Sequence, residues 1–304
     1  MKTSRATRLA MPSTRAQTRA QTRQAKSDYL LKAVETDENE RLDIQHRMIQ
    51  NMMGQQLLHP DIPTNFERVA DVATGNGTWL YDLKKALRRA GKENTGTKYH
   101  GFDISSTLFP KQDSPQKSSA DVDFTAHDFY KPFPEEHLGK YDVVHARLLV
   151  LAIQLPDLKL AIENIMGLLK PGGYIQWEEY DFADQLARAP SCTMASTWDT
   201  ILHWIAERGY SLTFTDSLTE TLSSCGLEIT ERKQFSTNGL PFSEDHKLTL
   251  LYAFYTGVPK VCLKIRGKSD EEIERIVKRC LEEWEGGLLI DYYLSRVTAR
   301  KPLE

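Results

Sequence analysis

"RVADVATGNGTWLYDL" (68–83) passes from a short apolar run, through a turn with two glycines, into a segment of helical spacing. A strand-forming run closed by glycine and followed by Leu80, Leu83 and Leu87 on one stripe reads as strand, tight turn, helix. Such a turn leaves backbone N–H groups unpaired. It also sets the positive end of the helix dipole at the carboxyl edge of the strand, where a polar or anionic group can bind. Leu80 stands where a dinucleotide fingerprint has its third glycine, and no Gly-Lys-Ser/Thr follows, which disfavours NAD and ATP.

Outward from this turn the pattern alternates. Strands are predicted near 68–73, 98–103 ("KYHGFD"), 122–127 ("VDFTAH"), 141–146 ("YDVVHA") and 173–179 ("GYIQWEE"), then at 227–235 ("LEITERKQF") and within 288–301 ("LLIDYYLSRVTARK"). Helical stripes lie between most of them, for example Leu158, Ile162, Ile165 and Leu169 ahead of Pro171 and the Gly172-Gly173 pair. Strand and helix in turn predict an α/β fold: a seven-stranded, mostly parallel sheet with helices on both faces. Upstream, Leu42, Ile44, Met48, Ile49, Met52 and Met53 make a helix that Gly54 ends, within an N-terminal cap over 29–62. Downstream, a helical insertion over 235–286 ends in "SDEEIERIVKRCLEEWEGG", where Ser269 and Glu272 form a capping box. The domain built on the sheet spans 63–304.

The 304 residues are ample for a large buried core, and no apolar run approaches the eighteen or so residues of a membrane span. Cys192, Cys225, Cys262 and Cys280 are far apart, without metal-ligand spacing, so free thiols in a reducing, cytoplasmic setting and no metal are expected. Net charge is −3, unevenly spread. Residues 1–28 form a basic arm: Lys2, Arg5, Arg8, Arg15, Arg19, Arg23 and Lys26 lie ahead of its single acid, Asp28. With those seven set aside, 32 bases face 42 acids, an acidic body that argues against general nucleic-acid binding. The arm reads as a flexible or partner-ordered segment. A homodimer or protein contact through it, and nuclear or organellar targeting by it, stay open.

Three acids end consecutive strands at one sheet edge: Asp71, Asp103 in "GFDIS" and Asp128 in "HDFY". A strand-two carboxylate in that position accepts ribose hydroxyls, and the third strand end flanks a base. With "ERLDIQH", "YDVVHARLL", "LKPGGYIQWEEYD" and the closing "ARKP", these motifs over roughly 29–304 resemble class I S-adenosylmethionine (SAM)-dependent methyltransferases, and more narrowly the LaeA-like methyltransferases of filamentous fungi.

The resemblance implies a Rossmann-like sheet and SAM as cofactor. It implies that Asp71, Ala73, Gly75 and Gly77 meet the methionine end, Asp103 and Ile104 the ribose, Asp128 and Phe129 the adenine, and His145 and Arg147 the sulfonium and the substrate. It places Tyr29, Gln45 and His46 at the substrate, with 235–286 as a lid; Trp177, with Trp198 and Trp204, offers an aromatic wall for a hydrophobic acceptor, against core packing as the default role. His145, His46 and Glu179 are the expected bases, histidine because its intrinsic pKa lies near neutrality. Two departures stand out: Ala73 where the motif usually has glycine, and Gln176 where relatives often carry an acid. The implied activity is methylation of O, N or S on a small molecule, a fungal secondary metabolite. The alternatives are a SAM-binding regulator or scaffold acting through protein partners, and reuse of the fold for a cyclisation.

Overall fold

A computed structural model describes residues 38–94, 96–111, 121–187, 191–241, 245, 249, 258–288 and 290–304. The basic arm and Tyr29 lie outside them. Seven strands among the described residues form one sheet: β1 (Arg68–Val72), β2 (Lys98–Asp103), β3 (Val122–Ala126), β4 (Tyr141–Arg147), β5 (Leu169–Tyr180), β6 (Glu228–Ser236) and β7 (Tyr293–Arg300). Their order is β3-β2-β1-β4-β5-β7-β6, and β7 alone runs antiparallel to its neighbours. The strand order reverses at β1, where β2 lies on one side and β4 on the other, so the loops after β1 and β4 diverge and leave a crevice at the carboxyl edge.

The register divides the sheet chemically. Ala70, Val144, Ile175 and Ala299 form one lateral row and Val72, Ala146, Trp177 and Val297 the next, all buried. Against this apolar face pack α3 (Leu155–Gly167), through Leu158, Ile162 and Ile165, and α6 (Phe214–Ser224), through Phe214, Leu218 and Leu222. The opposite face is apolar at one end, where Val69, Tyr99 and Val143 meet Leu80, Leu83 and Leu87 of α2 (Thr78–Arg89). Toward the carboxyl edge that face becomes polar: Asp71, His145, Gln176 and Thr298 share one row, Arg147, Glu178 and Arg296 the next.

Helix α1 (Glu38–Met52) buries Ile44, His46, Met48, Ile49 and Met52, and Gly54 at φ +61° turns the chain back. Leu169, expected at the end of a helix stripe, instead opens β5, which runs through Pro171 and the glycine pair because Leu169 pairs with Tyr141 before the register shifts to Val143 and Tyr174. After α4 (Phe182–Ala187) and α5 (Thr193–Ala206), the described part of the insertion supplies α7 (Val258–Ile265) and α8 (Asp270–Glu285). These helices belong to the main core through Cys262, Leu263, Ile273, Val277 and Cys280. Glu283 of α8 also caps α5, accepting from Thr193 N at 2.8 Å and Met194 N at 3.3 Å, so a carboxylate from one helix meets the dipole of the next. Among the described residues no helix is long and apolar enough to cross a membrane.

The capping box forms as expected: Ser269 N donates to Glu272 Oε2 at 2.9 Å and Glu272 N to Ser269 Oγ at 3.2 Å. Ser269→Ala is expected to cost about 1 kcal/mol in urea unfolding, with α8 otherwise intact.

A histidine cluster sits on the apolar side of β2. His100 stacks on Phe102 at 4.2 Å, meets His137 edge-on at 4.7 Å and hydrogen-bonds Thr125 Oγ1 at 2.8 Å. Burial, with the charge of His137 against it, pushes its pKa down to about 4. A ring favoured neutral in the fold contributes stability that is complete above the ordinary value of about 6.5 and is lost as pH falls from there to about 4. Denaturation series across that window should show His100→Phe losing less stability than the wild type.

Candidate active site

The loop after β1 is built from left-handed backbone. Ala73, Gly75 and Gly77 have φ of +59°, +57° and +77°. At Gly77, which caps α2, a Cβ would lie 2.6 Å from the Phe124 ring, so glycine is required on both counts. Ala73 keeps the same hand with a side chain, a cost of about 1–2 kcal/mol. The loop is pinned from below: Thr74 N donates to Phe102 O at 3.0 Å and Thr74 Oγ1 to Asp71 Oδ2 at 2.7 Å.

Asp103, at the end of β2, takes Gly75 N on Oδ2 at 2.9 Å and Ser105 N on Oδ1 at 3.1 Å. Burial raises its pKa, and these backbone donors oppose the rise. A carboxylate offers about four acceptor directions, so two donors leave room for a vicinal pair of hydroxyls. Ile104 beside it is 39% exposed. Past β3, Asp128 accepts from Tyr130 N at 3.0 Å, and half-buried Phe129 is held by Asn164 Nδ2 on its carbonyl at 3.0 Å. Asp103, the last residue of β2, and Ile104, Asp128 and Phe129, in the loops that follow β2 and β3, lie at the sheet edge beside the glycine turn.

Helix α1 reaches over the same edge. Asn76 Nδ2 donates to Asp43 Oδ1 at 2.9 Å, and the Leu42 side chain lies over Gly75, 2.9 Å from where a Cβ would stand. Arg147, the last residue of β4, donates to His46 Nδ1 at 3.1 Å. Arginine has only donors, so Nδ1 accepts here, while Nε2 lies 3.2 Å from Asp82 Oδ2 and 2.8 Å from Gln50 Nε2. Burial lowers the pKa of His46 despite the Asp82 hydrogen bond. Gln45 accepts from Arg41 at 3.4 Å and lies beside Tyr180.

Four expected roles change. Asp71 is 3% exposed and lies beneath the loop, with Oδ1 on His145 and Oδ2 on Thr74, so it shapes the loop from below rather than meeting a ligand. His145 is sealed at 1% exposure, stacked on Trp79 at 3.8 Å, with Nδ1 2.7 Å from Asp71 and Nε2 3.5 Å from Glu178; no acceptor substrate can reach it. Trp177 points into the apolar face beside Phe214 and is core, not a substrate wall. Glu179 shares that face. Its Oε1 accepts from Leu149 N at 2.5 Å and Trp177 Nε1 at 2.8 Å, and its Oε2 from Val150 N at 3.2 Å. Burial raises its pKa to about 7 against these donors, but its oxygens are spent on holding the turn after Leu148, itself at φ +57°.

Sequence reasoning missed the partners of His145. Arg296 Nε donates to Glu178 Oε1 at 3.0 Å and Nη2 reaches Gln56 O and Met53 Sδ. Burial alone would raise the pKa of Glu178, but the His145 hydrogen bond and the Arg296 charge outweigh it and bring it to about 2. Gln176 donates to Leu57 O and to Glu178, each at 2.9 Å, and accepts from His59 N at 2.8 Å. A carboxylate at 176 could not make the first two bonds, so this position calls for the amide. The only sequence signal for this group was polar residues in period two, Gln176 with Glu178, on a strand whose other face is apolar.

Residues 70–175 match the family model for a methyltransferase domain. Methyltransferase grgD of Penicillium sp is 35% identical over 178 residues, 58% of this chain and 61% of its own. N-methyltransferase tcpN of Claviceps purpurea is 33% identical over 175 residues, 56% of this chain and 58% of its own. The matches to these curated relatives thus span about three fifths of their length. The secondary metabolism regulator laeA of Coprinopsis cinerea is 50% identical over 48 residues, 16% of this chain and 11% of its own. Among solved structures, the [4+2]-cyclase SpnF superposes with a TM-score of 0.48 at 18% identity, covering 85% of this chain and 81% of that one.

Proposed function

We propose that the protein, whose residues 70–175 match the family model for a methyltransferase domain, binds SAM and methylates an O, N or S atom of a small molecule of fungal secondary metabolism. Nitrogen is the acceptor to test first, because tcpN is named an N-methyltransferase. The observation that carries the reading is Asp103: a partly buried carboxylate that already anchors the glycine loop through Gly75 N and keeps acceptor capacity for a ribose diol.

When bound, SAM supplies an electrophilic methyl group for in-line displacement. In this reading the glycine turn at Gly75 and Gly77 faces the methionine end, Asp103 and Ile104 hold the ribose, Phe129 borders the base with Asp128 at its edge, and α1 covers the edge through Leu42 and His46. None of the expected bases is open to an acceptor. Arg147 occupies His46 Nδ1, His145 is sealed, and Glu179 is fully buried with three donors on its two oxygens. The residues therefore act by orienting the acceptor and excluding water, and the acceptor is a group that reacts without prior deprotonation by the chain.

The test is calorimetry with SAM and S-adenosylhomocysteine, followed by incubation with methyl-labelled SAM and a fungal metabolite pool. A labelled product whose fragments place the methyl on nitrogen is expected. Absence of binding to either compound refutes the reading. The laeA segment favours a second reading, a SAM-binding regulator acting through partners. It would show binding without consumption, together with a co-purifying protein lost when residues 1–28 are deleted.

A further inference from the structure

The polar rows on the α2 side of the sheet connect two places that the sequence keeps far apart. At one end, Asp71 holds Thr74 of the glycine loop. At the other, Arg296 grips Gln56 O and Met53 Sδ while Gln176 takes Leu57 O and His59 N, so four successive points of the chain leaving α1 are fastened by side chains of β5 and β7. His145 is the link between them, because Asp71 and Glu178 are both acceptors and only a ring with protons on both nitrogens donates to both.

We propose that His145 is a positioning residue, a doubly donating imidazolium that couples the seating of the N-terminal cap, through Glu178 and Arg296, to the shape of the cofactor loop, through Asp71 and Thr74. This rests on the SAM-binding reading above. Trp79 covers the ring face at 3.8 Å and shuts out water. The charged and titratable groups around the ring balance in its favour: Asp71 from β1 and Glu178 from β5 face it directly, Arg296 from β7 stands beyond Glu178, and Arg147 lies two residues along its own strand with His46 of α1 beyond. Burial opposes the ring's charge, yet the two carboxylates outweigh burial and raise its pKa. A neutral ring would keep one donor and break the histidine bond to Asp71 or to Glu178, leaving Asp71 only Thr74 or Glu178 only Arg296 and Gln176. Cofactor binding should therefore weaken on the alkaline side, as the ring loses its proton.

The experiment uses the full chain. Nitrogen-15 histidine spectra should show one ring, absent in His145→Asn, that stays protonated on both nitrogens above the ordinary histidine range. Hydrogen exchange should show that S-adenosylhomocysteine slows exchange over residues 53–59. Arg296→Lys, which keeps the charge but cannot make the same fork of bonds and is remote from the cofactor loop, should weaken S-adenosylhomocysteine binding about tenfold and abolish that protection. Neutral His145 at pH 7.5 overturns the proposal, and so does unchanged affinity in Arg296→Lys whether or not its melting temperature falls. Absence of S-adenosylhomocysteine binding by the wild type overturns the functional reading and the coupling together, whereas the first two results overturn the coupling alone.

Discussion

Asp103→Ala is expected to weaken SAM binding about 100-fold with little change in fold. On the proposed reading the variant loses two charge-assisted hydrogen bonds to a diol, each about 1.5 kcal/mol, and the roughly 3 kcal/mol total corresponds to two decades in dissociation constant. It also frees Gly75 N, which Asp103 holds at 2.9 Å, so the loop loses its anchor at the point where it meets the ligand. Asp103→Asn keeps an acceptor for Gly75 and should fall between the two. Calorimetry reads both variants, and unchanged affinity in Asp103→Ala would remove the ribose from this position.

The largest expected effect on stability is at Glu178. Glu178→Ala leaves the Arg296 guanidinium, 1% exposed, without its carboxylate, and strips His145 of one acceptor. Removing one member of a buried ion pair costs about 3–5 kcal/mol because the remaining charge stays desolvated. For a domain of this size that corresponds to a fall of roughly 10 °C in melting temperature. Because the Glu178 pKa is about 2 in the fold, its contribution is complete above the ordinary carboxylate range near 4.5 and is lost as pH falls from there to about 2. The variant should match the wild type most closely at the acid end. A loss below 1 kcal/mol at neutral pH would mean that Arg296 finds another partner.

What was legible in the sequence was local. Leu80, Leu83 and Leu87 mark the buried stripe of α2, Ser269 and Glu272 make the cap that their spacing implies, and the glycines of 75 and 77 take the left-handed backbone that a strand-to-helix turn needs. Asp103 could be placed because a strand end is a local feature and the sheet edge follows from strand order. What was not legible depends on partners distant in sequence. His145 follows a strand pattern that fits a site facing a ligand, and only the fold shows Trp79 closing over it. Trp177 and Glu179 point away from Gln176 and Glu178 by the two-residue period of β5, yet which face borders the crevice depends on α2 and β7, and Arg296 lies 118 residues beyond Glu178.

The antiparallel β7 carries a kinetic consequence. Strands β1 to β5 can pair while the chain is still assembling, but the far edge of β5 stays open until a segment more than a hundred residues downstream wedges in between β5 and β6. Contacts so remote close slowly, and in the interval an unpaired edge flanked by Ile175 and Trp177 is a template for intermolecular pairing. Lesions in β7 should therefore appear first as insoluble protein and poor refolding yield, and slower expression at low temperature should recover such variants better than added ligand does.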